Sequence, residues 1–192
     1  MELLTAFRLF ADHYQFFVHD SEADPCPESF YEEPDDARTA DFGSYALGYI
    51  TNGRSICFIT CAHLNSHWIE VFHSIQVPDI TVAQRVIALP LEINSGQASI
   101  SDLIDLDDPR RTVSLSPGKY GVYLLGFSLG RDQFSDPINS PDWAEHDLTD
   151  TELAARTDYE HYQIIFVPDH AAVFSPGVIR GAPDINTVRQ MA

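Results

Sequence analysis

A chain of 192 residues, 44 % of them hydrophobic, has the length and apolar content for one domain with a substantial core. Its 29 Asp and Glu against 11 Lys and Arg give a formal charge of -18, with Lys119 the single lysine, so nucleic acid phosphates and anionic lipid head groups are repelled while basic proteins and cations are attracted. The 12 Phe and 8 Tyr also exclude an unfolded acidic tail, which places the acidity on a folded surface.

From the N-terminus, Met1 to Arg8 lacks a basic region followed by an apolar run. No stretch approaches the roughly 20 apolar residues that span a bilayer, so the expected location is cytoplasmic. Ser21 to Phe42 is rich in Pro, Asp, Glu and Ser and is expected to form a long loop. Residues 20 to 36 hold eight carboxylates, Asp20, Glu22, Asp24, Glu28, Glu32, Glu33, Asp35 and Asp36, with no Lys or Arg between them. Such a block either stays mobile through self-repulsion or orders against a cationic partner.

Two alternating apolar runs, Tyr45 to Thr51 and Ser55 to Ala62, flank Asn52-Gly53, a pair that favours a type I′ hairpin turn. The second run is apolar on both sides, which predicts a strand buried on both faces. A further run, Trp68 to Ile75, follows the polar break Leu64-Asn65-Ser66, so residues 45 to 75 are expected to form a three-stranded meander. Two more hairpins are expected: Val86 to Ile93 turning at Asn94-Ser95-Gly96 into Gln97 to Ser101, and Val113 to Leu115 turning at Pro117-Gly118 into Lys119 to Leu129. Pro78 and Pro90 belong at strand starts, bulges or edges.

Arg131 to Asp147 is the second segment without strand character. Thr149 to Glu152 has the spacing of a capping box, and Leu153 to Arg156 are good helix formers, so a short peripheral helix is expected. Tyr162 to Val167 is a β-branched and aromatic strand stopped by Pro168, and the tail from Pro176 has little periodicity. Many short strands joined by turns predict an all-β, antiparallel β-sandwich. One domain is expected over 1–192, with loop insertions near 21–42 and 131–158 and an irregular tail over 176–192.

Cys57 and Cys61 lie four apart in an extended run, about 13 Å between Cα atoms, too far for a disulfide. With Cys26 the thiols number three, and reduced cysteines packed as small apolar residues are expected.

Three motifs suggest chemistry. Gly126-Phe127-Ser128-Leu129-Gly130 matches the G-x-S-x-G nucleophile pattern, with Asp136 and His146 following in α/β-hydrolase order. That motif needs a strained turn from a parallel strand into a helix, and neither the segment after Gly130 nor the rest of the chain carries the alternating α/β pattern. Cys61, His63, His67 and His73 form a second cluster, but His73 is about 20 Å along an extended strand from His67, so no common metal is expected. Asp102, Asp105, Asp107 and Asp108 form an acidic loop of the kind that binds calcium in some sandwiches, without EF-hand spacing and with Arg110 and Arg111 at hand to neutralise it. The abundance of Asp, 19 of the 29 acids, is also what adaptation to high salt produces.

Four blocks taken together resemble the competence protein J (ComJ) family of nuclease inhibitors: His13 to Val18 with Asp20, Leu89-Pro90-Leu91 leading to Ser95-Gly96, Ser116 to Tyr120, and Tyr162 to Pro168. The chain departs from that pattern in its long acidic loops and its C-terminal extension. The resemblance implies a β-sandwich without catalytic residues or cofactors that binds a basic partner, a DNA nuclease, by presenting carboxylates where phosphates would lie. On this reading the partner-binding residues are Asp20, Glu22, Asp24, Glu28, Glu32, Glu33, Asp35 and Asp36. Phe30 and Tyr31 then act as interface anchors or pack beneath the loop. The alternatives are a calcium- or ligand-binding sandwich module at Asp102 to Asp108 and a hydrolase at Ser128.

Overall fold

The computed structural model describes residues 1–11, 14–26, 48–61, 65–105, 108–130, 148–169 and 176–181. Among these residues eleven strands form two sheets. The first contains β1 (Glu2–Ala11), β5 (Asn65–His73), β6 (Arg85–Ile93), β9 (Gly118–Phe127), β10 (His161–Pro168) and β11 (Gly177–Arg180), in the order β1-β5-β10-β9-β6-β11. The second contains β2 (Gln15–Asp20), β3 (Tyr49–Thr51), β4 (Ser55–Ile59), β7 (Gln97–Ser101) and β8 (Thr112–Ser114), in the order β3-β4-β2-β7-β8. Among the described residues one short α-helix, α1 (Asp150–Ala155), rests on β5 and β1.

The period-2 alternation of a strand decides what meets between the sheets. Phe7 and Leu9, Ile69 and Val71, Tyr162 and Ile164, Val122 and Leu124, and Ile87 and Leu89 face inward from the first sheet. Phe16, Val18, Ile56, Phe58 and Ile100 meet them from the second. Each such fully buried side chain contributes roughly 1.5–3 kcal/mol of transfer free energy. The opposite face of the first sheet is apolar and buried as well, through Val86, Ala88, Tyr123, Leu125, Ile165 and Val167. On the second sheet Phe17, Cys57 and Ile59 do the same. These strands therefore carry nearly continuous apolar runs, and β4 is buried along its whole length, as its sequence predicts.

The all-β, two-sheet architecture agrees with the sequence, and several pairings differ from it. The β3–β4 hairpin forms, but only Gly53 of its central pair has positive φ (87°). Asn52 stands one position earlier than a type I′ turn requires, because its side-chain oxygen accepts the N–H groups of Arg54 and Ser55 at 3.0 and 2.9 Å. The expected meander breaks after β4: β5 pairs with β1 and β10 in the opposite sheet. The two other expected hairpins, β6 to β7 and β8 to β9, are likewise corners that carry the chain from one sheet to the other. Turn chemistry specifies that a chain reverses, and not which sheet receives it. Among the described residues the ladders are antiparallel except for the parallel pair β5–β10. Residues 177–180, expected to be irregular, form β11 on the edge of β6, and Pro90 sits on the stretch of β6 that β11 leaves uncovered. Thr149 caps α1 as expected, with both halves of the capping box present.

Candidate functional site

The acidic segment begins where β2 ends. Asp20 is fully buried, and its carboxylate accepts the N–H groups of Glu22 (2.9 Å), Ser95 (3.0 Å) and Asn94, with Arg54 at 3.8 Å. Burial works to raise its pKa, but the N–H groups of Ser95, Glu22 and Asn94 prevail and hold it below the usual carboxylate value. Asp20 thus departs from the role expected of it: it pins the start of the acidic segment to the β6–β7 corner and is not part of its surface. Glu22 and Asp24, by contrast, are exposed. Glu28, Phe30, Tyr31, Glu32, Glu33, Asp35 and Asp36 lie outside the described residues.

A depressed folded-state pKa means that the stability contributed by Asp20 is present above the unfolded value of about 4 and is lost as pH falls through the folded value. Acid titration of the unfolding free energy should therefore fall off below about pH 4, and Asp20→Asn should flatten that limb. An unchanged acid limb in the variant would assign it to other carboxylates.

The Asp102 loop is closed by an arginine. Arg111, buried, donates to Asp102 at 2.8 Å and lies 3.4 Å from Asp108 and 3.9 Å from Asp105. Asp102 also accepts the N–H groups of Ile104 and Asp105, and Asp108 caps the 3-10 turn Pro109–Arg111. Arg111 supplies the positive charge that calcium would bring. Asp107 lies outside the described residues, and among those described no three His, Cys, Asp or Glu side chains converge on a metal position.

A polar cluster that pattern reading missed closes one end of the sandwich. Arg85 faces inward in register with Ile87 and Leu89, and its guanidinium crosses to the second sheet, donating to the carbonyls of Gly48 (2.9 Å) and Ile59. Glu160, 1 % exposed, accepts the N–H groups of Cys61 and Gly130, both at 2.7 Å, and the hydroxyl of Tyr162. His67 bonds to the Glu160 carbonyl at 3.1 Å and stands edge-on to Tyr162. Burial, and then the Glu160 charge, hold the Tyr162 hydroxyl well above its ordinary pKa and push the Cys61 thiol up to about 12. The signal in the sequence was a lone charged residue at an inward position of an apolar strand.

This cluster accounts for the G-x-S-x-G string. Gly126 lies between Arg85 and Tyr162, where a methyl group would come within 3.0 Å of the Tyr162 ring and 3.3 Å of the Arg85 Cβ. Gly130 donates to Glu160, and the Ser128 hydroxyl donates to the Thr157 carbonyl at 2.7 Å. The string ends an antiparallel strand in place of the parallel strand of a nucleophile elbow. Asp136, His146 and His63 lie outside the described residues.

The three cysteines are free thiols. Because a raised pKa keeps Cys61 protonated in the folded state while the unfolded thiol ionises near 8.5, stability should decline as pH rises from about 8.5 to 12. Alkylation of Cys61 at pH 8 is expected to be much slower in the native protein than in urea, measured by mass spectrometry. Equal rates would place the thiol in solvent.

The fold defines an acidic, all-β protein of two packed sheets with its charged clusters set at the sheet ends and corners. No protein-family model and no curated protein matches the chain. Among solved structures it is similar to ComJ, inhibitor of the DNA degrading activity of NucA, from Bacillus subtilis, at 13 % identity with a TM-score of 0.55, over 87 % of this chain and 97 % of that one. It is also similar to the protein of crocagin biosynthetic gene J, at 11 % identity and a TM-score of 0.50, over 86 % and 96 % of the two chains. These likenesses establish the shared fold. No helix among the described residues is long and apolar enough to cross a membrane.

Proposed function

We propose that this chain is a non-enzymatic inhibitor of a basic protein, a DNA nuclease, and that it works in the cytoplasm by occupying the nuclease's DNA-binding groove. The observation that carries the reading is the block of acids after β2 on a chain of charge -18. The likeness in fold to a nuclease inhibitor supports it. A groove built for phosphates is basic, and carboxylates held on a rigid scaffold compete for it while the field of the whole protein speeds encounter. Asp20 anchors the segment. Glu22, Asp24, Glu28, Glu32, Glu33, Asp35 and Asp36 supply the charge, and Phe30 and Tyr31 are the candidate anchors of the desolvated centre.

The test is capture from the native host's lysate at low and at moderate salt, followed by mass spectrometry of what is retained. A nuclease retained at low salt and released at moderate salt is the expected result. Neutralising Glu32, Glu33, Asp35 and Asp36 together should weaken its binding at least tenfold at low salt, and equal affinity in that variant would exclude this segment as the contact.

A further inference from the structure

Two of the three cysteines meet on the outer face of the second sheet. Ser55, Cys57 and Ile59 share that face of β4 through the two-residue period of the strand. The Ser55 hydroxyl donates to the Asp24 carbonyl at 2.6 Å, so the chain leaving β2 passes beside the start of β4. The Cys26 N–H donates to the Asp24 carboxylate at 2.9 Å, which fixes the next turn of that chain. Two residues on from the Asp24–Ser55 contact in each segment, Cys26 packs against the apolar cluster of Phe17, Cys57 and Ile59. Cys57 is 1 % exposed, and Cys26 is half-buried.

The two thiols are close enough to couple: burial, and then the charge of a Cys26 thiolate, push the Cys57 thiol above its ordinary pKa. Cys61 stands apart. It belongs to the polar cluster at the end of the sandwich, where its N–H donates to Glu160 at 2.7 Å and the charges acting on its thiol are Glu160 and Arg85.

We propose that Cys26 and Cys57 are an oxidisable thiol pair, which a low-molecular-weight disulfide such as glutathione disulfide joins into a reversible bond between the chain after β2 and β4. Cys26, the more exposed, attacks one sulfur of the oxidant; that S–S bond breaks, and one glutathione leaves as its thiolate. Cys57 then yields its proton to the released thiolate and attacks the Cys26 sulfur, displacing the second glutathione. Two protein thiols lose two electrons in all, and the oxidant takes them up as two glutathione thiols. Burial keeps Cys57 protonated, so the second displacement is the slow one, and the same burial shields the finished bond from reductant. The bond closes residues 26–57 into one covalent loop, which holds Glu28, Glu32, Glu33, Asp35 and Asp36 in sequence. Oxidation would thus fasten the base of the acidic segment to the sheet, and in a reducing compartment only under oxidative load. The chemistry needs the two thiols alone, so it stands or falls independently of the inhibitor reading.

The probe is glutathione disulfide, incubated with the full, folded chain at pH 8, quenched with N-ethylmaleimide and read by intact-mass and peptide mass spectrometry. The expected product is a monomer lighter by two hydrogens, with Cys61 as the one alkylated thiol and a tryptic peptide pair linked through Cys26 and Cys57. Dithiothreitol should return all three thiols. Cys26→Ser should abolish the product, Cys57→Ala should stop the reaction at a glutathione adduct of Cys26, and Cys61→Ser should leave the product unchanged. A glutathione adduct that persists on Cys26 of the unaltered chain, a bond to Cys61, a dimer linked through Cys26, or a native chain that keeps all three thiols would overturn the proposal.

Discussion

Arg85→Ala is expected to destabilise the fold by about 3–5 kcal/mol, the usual consequence of removing one member of a buried, hydrogen-bonded charge cluster. Arg85 is among the largest fully buried side chains and joins the two sheets by its bonds to the Gly48 and Ile59 carbonyls. Truncation leaves those two carbonyls without their donor and a guanidinium-sized void between the sheets. Urea denaturation of wild type and variant measures the difference directly. Arg85→Lys should recover only part of it, because a single ammonium cannot span both carbonyls in the planar geometry of the guanidinium. A loss below about 1 kcal/mol for Arg85→Ala would show that the sheets are held at this end by apolar packing alone.

Glu160→Ala is expected to cost a similar amount, again about 3–5 kcal/mol. Its two carboxylate oxygens serve three donors from three places in the chain: Cys61 past β4, Gly130 past β9, and Tyr162 within β10. The variant leaves all three without their acceptor, the Tyr162 hydroxyl fully buried and the two N–H groups part-buried, and an abandoned buried donor costs about 1–3 kcal/mol. The double variant Arg85→Ala with Glu160→Ala should lose less than the sum of the two, by 1 kcal/mol or more, since it removes opposite charges from one buried region. Strict additivity would show that the two side chains act independently.

Much of the architecture was legible before the coordinates. The apolar, β-branched and aromatic runs Ser55 to Ala62 and Tyr162 to Val167 marked strands, and apolar residues on both sides of the first marked it as buried on both faces. Thr149 and Glu152 marked the helix start because orphaned N–H groups demand acceptors. What escaped were relations between distant segments. Asn94 to Gly96 and Pro117-Gly118 reverse the chain whether it returns to the same sheet or crosses to the other, so the order β1-β5-β10-β9-β6-β11 is not written in any turn. Asp20 looked like one of eight similar acids, although its neighbours in space, Asn94 and Ser95, are more than 70 residues away in sequence. Arg85 and Glu160 escaped for the same reason: their partners come from strand ends far along the chain. The carboxylate density after β2 and in the Asp102 loop was visible in composition alone, and only geometry showed that Arg111 already serves the second of these.

The central claim, inhibition of a nuclease by an acidic sandwich, is tested most directly by titrating this chain into the captured nuclease during cleavage of linear duplex DNA, at several salt concentrations. The account predicts that cleavage stops as the chain reaches equimolar amounts at low salt, and that inhibition weakens as salt screens the carboxylates. Cleavage that continues undiminished at every ratio and every salt concentration would contradict it.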